Sequence, residues 1–222
     1  MNAITQYFKS SIGKKQIVAI TGLLLVGFLV MHLSINLLFF LGAEVFNVFP
    51  ETMRSSGPVL IIAELGLVAL FLTHISFTVI VVKENRQARN NRYEKFATKK
   101  TRSLATRLMP YTGTILILFL ILHLKDFWWP AHEGVMTMVD GEELGAYGLI
   151  FNAFKSIGRV IWYVVAMFSV GFHLAHGIQS VVQTFGFYHK TYTPMIQKAS
   201  TGFGIVMALA FSSIPVYTLV FG

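Results

Sequence analysis

The chain has 222 residues, of which 55% are hydrophobic and 13% charged, the latter about half of the ~25% usual in a soluble domain. That composition argues against a soluble cytosolic enzyme, and its gathering into five long apolar runs makes the lipid bilayer the expected solvent. Without a cysteine, the chain excludes a disulfide framework, a cysteine-ligated iron–sulfur cluster and a covalently attached c-type haem, so any redox centre must be held by histidine or bound loosely. The 18 Lys+Arg against 10 Asp+Glu would suggest nucleic acid in a soluble protein. Here the basic residues lie between apolar runs, where membrane topology explains them and no nucleic-acid role is needed.

A spanning helix needs about 20 mostly apolar residues. In chain order, such segments are expected near 17–42, 59–82, 106–128, 157–185 and 201–221. The first follows Lys14 and Lys15 without a small-residue cleavage site and reads as a retained span rather than a removed signal peptide. The fold class expected is all-α, a five-helix transmembrane bundle forming a single domain over 1–222. Fourteen of the eighteen Lys and Arg fall in the N-terminal tail, in 83–108 and in 186–200. By the positive-inside rule the N-terminus is then cytoplasmic and the C-terminus outside, as in the inner membrane of a prokaryote. The segment Lys83 to Arg107 is expected to prolong the second and third spans as helices, as a solvated basic surface facing lipid or a partner. Phe127, Trp128 and Trp129 followed by Pro130 resemble an interfacial belt and a stop. No internal repeat or low-complexity tract is visible.

His32, His74, His123, His173 and His176 all fall inside expected spans, whereas His132 and His189 fall in loops. Ionisable groups in hydrocarbon are costly and call for a reason. One such histidine would be an ordinary interhelical hydrogen-bond partner, but four successive spans each carry one. Counting about 1.5 Å per residue from the cytoplasmic ends places His32 and His123 at about 22 and 25 Å, and His74, His173 and His176 at about 12, 18 and 14 Å. An outer pair and an inner group result, which suits two bis-histidine b-type haems at two depths. Zinc is the competing metal, yet a structural zinc site uses four protein ligands and each level offers two or three. Gly22, Gly27, Gly66, Gly113, Gly171 and Gly177 would admit a flat macrocycle, or serve as ordinary small-residue helix packing.

The segment Ser10-Ser11-Ile12-Gly13-Lys14-Lys15, the span ending Met31-His32-Leu33-Ser34-Ile35-Asn36-Leu37, and Phe172-His173-Leu174-Ala175-His176-Gly177 together carry a resemblance. The whole chain is similar to the di-haem cytochrome b anchor of succinate dehydrogenase and fumarate reductase. The resemblance implies two haem b groups, quinone as substrate, and a flavoprotein and an iron–sulfur subunit docked on the cytoplasmic face. It also implies that His32 and His123 ligate the distal haem and His74 and His173 the proximal one. The family pattern of histidine followed four residues later by glycine selects His173 with Gly177 over His176. His176 is left as a contact for a haem propionate or a quinone. Some fumarate reductases of this family carry a glutamate two residues before the fourth-span ligand, where this chain has Gly171. Candidates for a quinone site are Glu51, Glu64 and Arg159. Glu64, an acidic residue inside a span, would serve quinone protonation or snorkel to the outer surface. Competing functions are the haem-bearing subunit of a different quinone-linked dehydrogenase, and a proton-coupled transporter, which would more often show repeats and broken helices.

Overall fold

The computed structural model describes residues 2–87, 104–134, 137–139 and 141–221. A short helix, α1 (Ala3–Lys9), precedes α2 (Ser11–Leu37). The Ser10 side chain accepts the Gly13 N–H at 3.0 Å and caps α2, so the helix begins several residues before the apolar run, where capping chemistry sets the start. A 3-10 turn (Leu38–Leu41) and Gly42, at φ 95°, redirect the chain into α3 (Ala43–Ser55). Then come α4 (Pro58–Gln87), α5 (Leu104–His123), a π-helical turn (Leu124–Trp128) and α6 (Trp129–Glu133). A two-stranded antiparallel hairpin, β1 (Met138–Val139) with β2 (Glu142–Glu143), pairs Met138 with Glu143 and Val139 with Glu142. The helices α7 (Gly145–Ala153), α8 (Ile157–Thr184) and α9 (Tyr192–Phe221) complete the chain.

Among the described residues, five segments are long and apolar enough to cross a membrane: Ser11–Leu41, Pro58–Gln87, Arg107–Glu133, Ile157–Thr184 and Tyr192–Phe221. Besides the early start of the first and the prolongation of the second to Gln87, two boundaries differ from the sequence expectation. The third segment does not stop at Pro130; the π turn loosens the helix just before it, and Pro130 opens α6, where its missing N–H costs nothing. The fifth begins at Tyr192, well before the apolar run, because Met195, Gln197, Lys198 and Ala199 are good helix formers that hydropathy overlooks. Most of 186–200, expected as a loop, is therefore helix. Of the basic segment Lys83 to Arg107, residues 88–103 lie outside the described residues.

Paired contacts give the helix directions. Lys14 pairs with Glu84, and Thr21 meets His74 at 3.0 Å, so α2 and α4 are antiparallel. Thr112 with His173, and Asp126 with Tyr163, show the same for α5 and α8. The helix α8 is the hub: α9, α5 and α2 all pack on it, and α2 also packs on α4. Its tightest contact is with α9. A Cβ built at Gly171 would lie 2.5 Å from the Gly204 carbonyl oxygen, and one at Gly204 would lie 2.3 Å from that of Gly171. This is the close backbone approach that small residues permit between helices in lipid. Gly171 thus serves helix packing and makes no room for a macrocycle. No longer side chain, a glutamate included, fits there.

Two apolar clusters follow. Leu33, Ala166, Met167, Val170, Leu174 and Met207 join α2, α8 and α9 at mid-bundle. Phe39, Phe46, Ile150, Phe154, Val160, Tyr163 and Ile214 form a cap at the end remote from Lys14. There Asn47 bonds the Leu144 carbonyl and the Tyr147 N–H, each at 3.0 Å, and ties α3 to α7. By contrast α4 buries no residue at all. The accessible surface, 14824 Å², exceeds the roughly 10,000 Å² of a compact soluble monomer of this mass, and long rows of exposed Leu, Ile and Val account for much of it. Gly171→Ala and Gly204→Ala should each destabilise the bundle by about 1–3 kcal/mol, as overpacking does. Gly27→Ala, whose Cβ would meet nothing within 4 Å, should not. Unfolding midpoints in detergent check the difference.

Candidate functional site

The histidines of the first four spans gather at two levels, as the depth count expects. At the far level, remote from Lys14, the rings of His32 on α2 and His123 on α5 lie 5.9 Å apart, centre to centre, with their planes at 90°. Each is braced by the phenylalanine one turn earlier: Phe28 stacks on His32 at 5.4 Å, and Phe119 on His123 at 5.2 Å. Phe211 of α9 closes on His32, and Phe127 and Tyr163 on His123. The Nδ1 of His123 is buried without a hydrogen-bond partner, in surroundings that offer only aromatic faces.

At the near level, His74 on α4 and His173 on α8 are each held by a threonine of a neighbouring helix. Thr21 Oγ1 lies 3.0 Å from His74 Nδ1, and Thr112 Oγ1 lies 3.3 Å from His173 Nδ1. The next residue is glycine in both cases. A Cβ at Gly22 would stand 3.1 Å from His74 Cε1, and one at Gly113 would stand 3.8 Å from His173 Cε1. Gly22 therefore makes room for an imidazole, whereas a methyl at 113 would only touch one. Gly27, Gly66 and Gly177 border open space. His176, half-buried, is one turn from His173, and its carbonyl accepts the Ser180 hydroxyl at 3.0 Å.

Thr21 and Thr112 are site residues that hydropathy and histidine counting miss. The signal is a short repeat, Thr-Gly, five residues, Phe, three residues, His-Leu, present at 21–33 and again at 112–124. Within it, threonine and histidine are eleven residues apart, which is three turns on one helix face and about 16 Å along the axis. The expectation of no internal repeat is corrected accordingly. Its shortness and the lack of a matching loop pattern hide it in the sequence alone.

Comparison with protein-family models, with curated proteins and with solved structures gives no match. The chemistry of the site therefore rests on its own geometry. Among the described residues, no three His, Asp or Glu side chains are grouped to hold a metal ion. Two imidazoles per level suit a group that brings its own equatorial ligands, and two metal–nitrogen bonds of about 2 Å each, added to the ring radii, span a separation like that of His32 and His123. At the far level that spacing is the one two axial imidazoles of a single haem iron would need.

The three quinone-site candidates are not brought together. Glu51 is exposed on α3. Glu64 accepts the Trp128 indole N–H at 3.0 Å and faces His132 Nε2 at 3.2 Å, so it is held by partners rather than snorkelling. His132 Nδ1 lies 2.9 Å from the Trp128 carbonyl, which can only accept, so that nitrogen carries hydrogen. Arg159 binds Asp126 at 3.5 Å and donates to the Ala153 carbonyl at 3.0 Å. Tyr163, which packs on His123, donates to the same Asp126 oxygen at 3.0 Å. Asp126→Asn should therefore cost about 1–3 kcal/mol by leaving Arg159 short of its counter-charge, and Tyr163→Phe only about 1 kcal/mol. Denaturation of the two variants side by side tests this ranking.

Proposed function

We propose that this chain is the cytochrome b membrane anchor of a succinate:quinone oxidoreductase, acting as succinate dehydrogenase or fumarate reductase, and that it conducts electrons between an iron–sulfur subunit and membrane quinone. The observation that carries this reading is the facing of His32 and His123 across 5.9 Å, with a second histidine pair, His74 and His173, about three helical turns away.

In this reading His32 and His123 hold the distal haem b, and His74 and His173 the proximal one. Each bound haem supplies one-electron redox chemistry at its level. The chain's own work is to orient the four imidazoles, keep water from them and insulate them in apolar packing. At the near level the threonines set the rings; at the far level Phe28 and Phe119 do so by stacking. His176 is placed for a haem propionate or a quinone.

The N-terminus and the near level face the cytoplasm in this assignment, where the basic residues are concentrated, and the flavoprotein and iron–sulfur subunits dock there. Quinone binds toward the far level, on the side where Glu64 meets Trp128 and His132. Glu51 and Arg159 are the other side chains assigned to that end, with Arg159 acting through Asp126. The location is the inner membrane of a prokaryote.

Pyridine haemochrome analysis of the purified chain should give two b haems. His32→Ala or His123→Ala should remove one of them, His74→Ala or His173→Ala the other, and His176→Ala neither. One haem per chain would contradict the pairing, and none would contradict the function.

A further inference from the structure

We infer that Thr21 and Thr112 are paired positioning residues that lock His74 and His173 in the tautomer with hydrogen on Nδ1, so that both present a bare Nε2 to a ligand at the near level. The inference deepens the haem assignment and rests on it for the identity of that ligand, but the lock itself is a property of this chain.

The proton count follows from the hydroxyls. Thr21 Oγ1 donates to the Ile17 carbonyl at 2.7 Å, with Val18 as a longer second acceptor at 3.2 Å. Thr112 Oγ1 donates to the Met109 carbonyl at 3.1 Å. Each hydroxyl has one hydrogen, and a carbonyl of its own helix takes it. What faces His74 and His173 is therefore an oxygen lone pair, which only an Nδ1–H satisfies. The lone pair of each ring is left on Nε2, the arrangement by which outer hydrogen bonds fix a ligating histidine and raise its basicity. Of the two adjoining glycines, only Gly22 is pressed close enough to matter. A methyl at Gly22 would press on His74 Cε1 at 3.1 Å, whereas one at Gly113 would make ordinary contact with His173 at 3.8 Å. Among the described residues the far level shows no such hydroxyl on its imidazoles, and His123 Nδ1 there is without a partner.

The test uses the full-length chain with Thr21→Val, Thr112→Val and the corresponding serine variants, and reads optical redox titration together with 15N spectra of labelled histidine. If two haems are present, each valine variant should move the near-level haem to higher potential, since its ligand becomes a weaker donor. The far-level haem should not move, and the serine variants should behave as wild type. Gly22→Ala should disturb the same haem and Gly113→Ala should not. An unmoved near-level potential in both valine variants would overturn the lock while leaving the haem assignment standing. If the chain proves to carry no haem, the assignment falls and the 15N spectra decide the lock alone. Nδ1-protonated His74 and His173 in wild type, giving way to mixed tautomers in the valine variants, would support it; an unchanged tautomer distribution would overturn it.

Discussion

An imidazole placed in hydrocarbon has two nitrogens to satisfy and no water with which to do it. That constraint organises the bundle. At the near level one nitrogen of each ring is met by a threonine hydroxyl from the adjacent helix. At the far level the rings face each other at 5.9 Å amid phenylalanines. Because unpaired polar groups in such surroundings cost several kcal/mol each, four rings arranged in this way are hard to explain as incidental core residues.

The packing divides the labour. Gly171 and Gly204 bring α8 and α9 into backbone contact, so these two helices form a stiff spine. The helices α2 and α5 lean on that spine and carry the same thirteen-residue pattern at 21–33 and 112–124. Each holds a far-level histidine and, three turns below, the threonine that sets its neighbour's near-level histidine. Both levels are thereby assembled from two equivalent helix pairs, α2 with α4 and α5 with α8. That equivalence accounts for matched histidines at each level without a separate device for each. The remote end is closed by the cap of α3 and α7, and Asp126 links that end to the site through Arg159 and Tyr163.

Much of this was legible in the sequence, for identifiable reasons. Apolar runs of bilayer length mark the five spans, and depth counting pairs His32 with His123, because both rest on helix geometry that tertiary context does not override. The start of the fifth helix at Tyr192 was not legible, since its first turns are polar and only propensity announces them. The continuation of the third span through Pro130 depends on a π turn that leaves no signature in composition. Gly171 could be read as a haem cradle or as helix packing, and the α8–α9 crossing decides for packing, because a glycine's neighbour on another helix cannot be read from one chain segment. The threonines were missed because a hydroxyl in a span is so often bonded to its own backbone, as Thr21 and Thr112 also are; only the second contact, to an imidazole, reveals their role.

The central claim is that each of the two levels is closed by a pair of imidazoles on one iron. Near-infrared magnetic circular dichroism of the oxidised full-length chain reads axial ligation directly. The account predicts low-spin iron with two nitrogenous axial ligands at both centres, quantified as two per chain. High-spin iron, a histidine–methionine signature, or a single bis-histidine centre would contradict it.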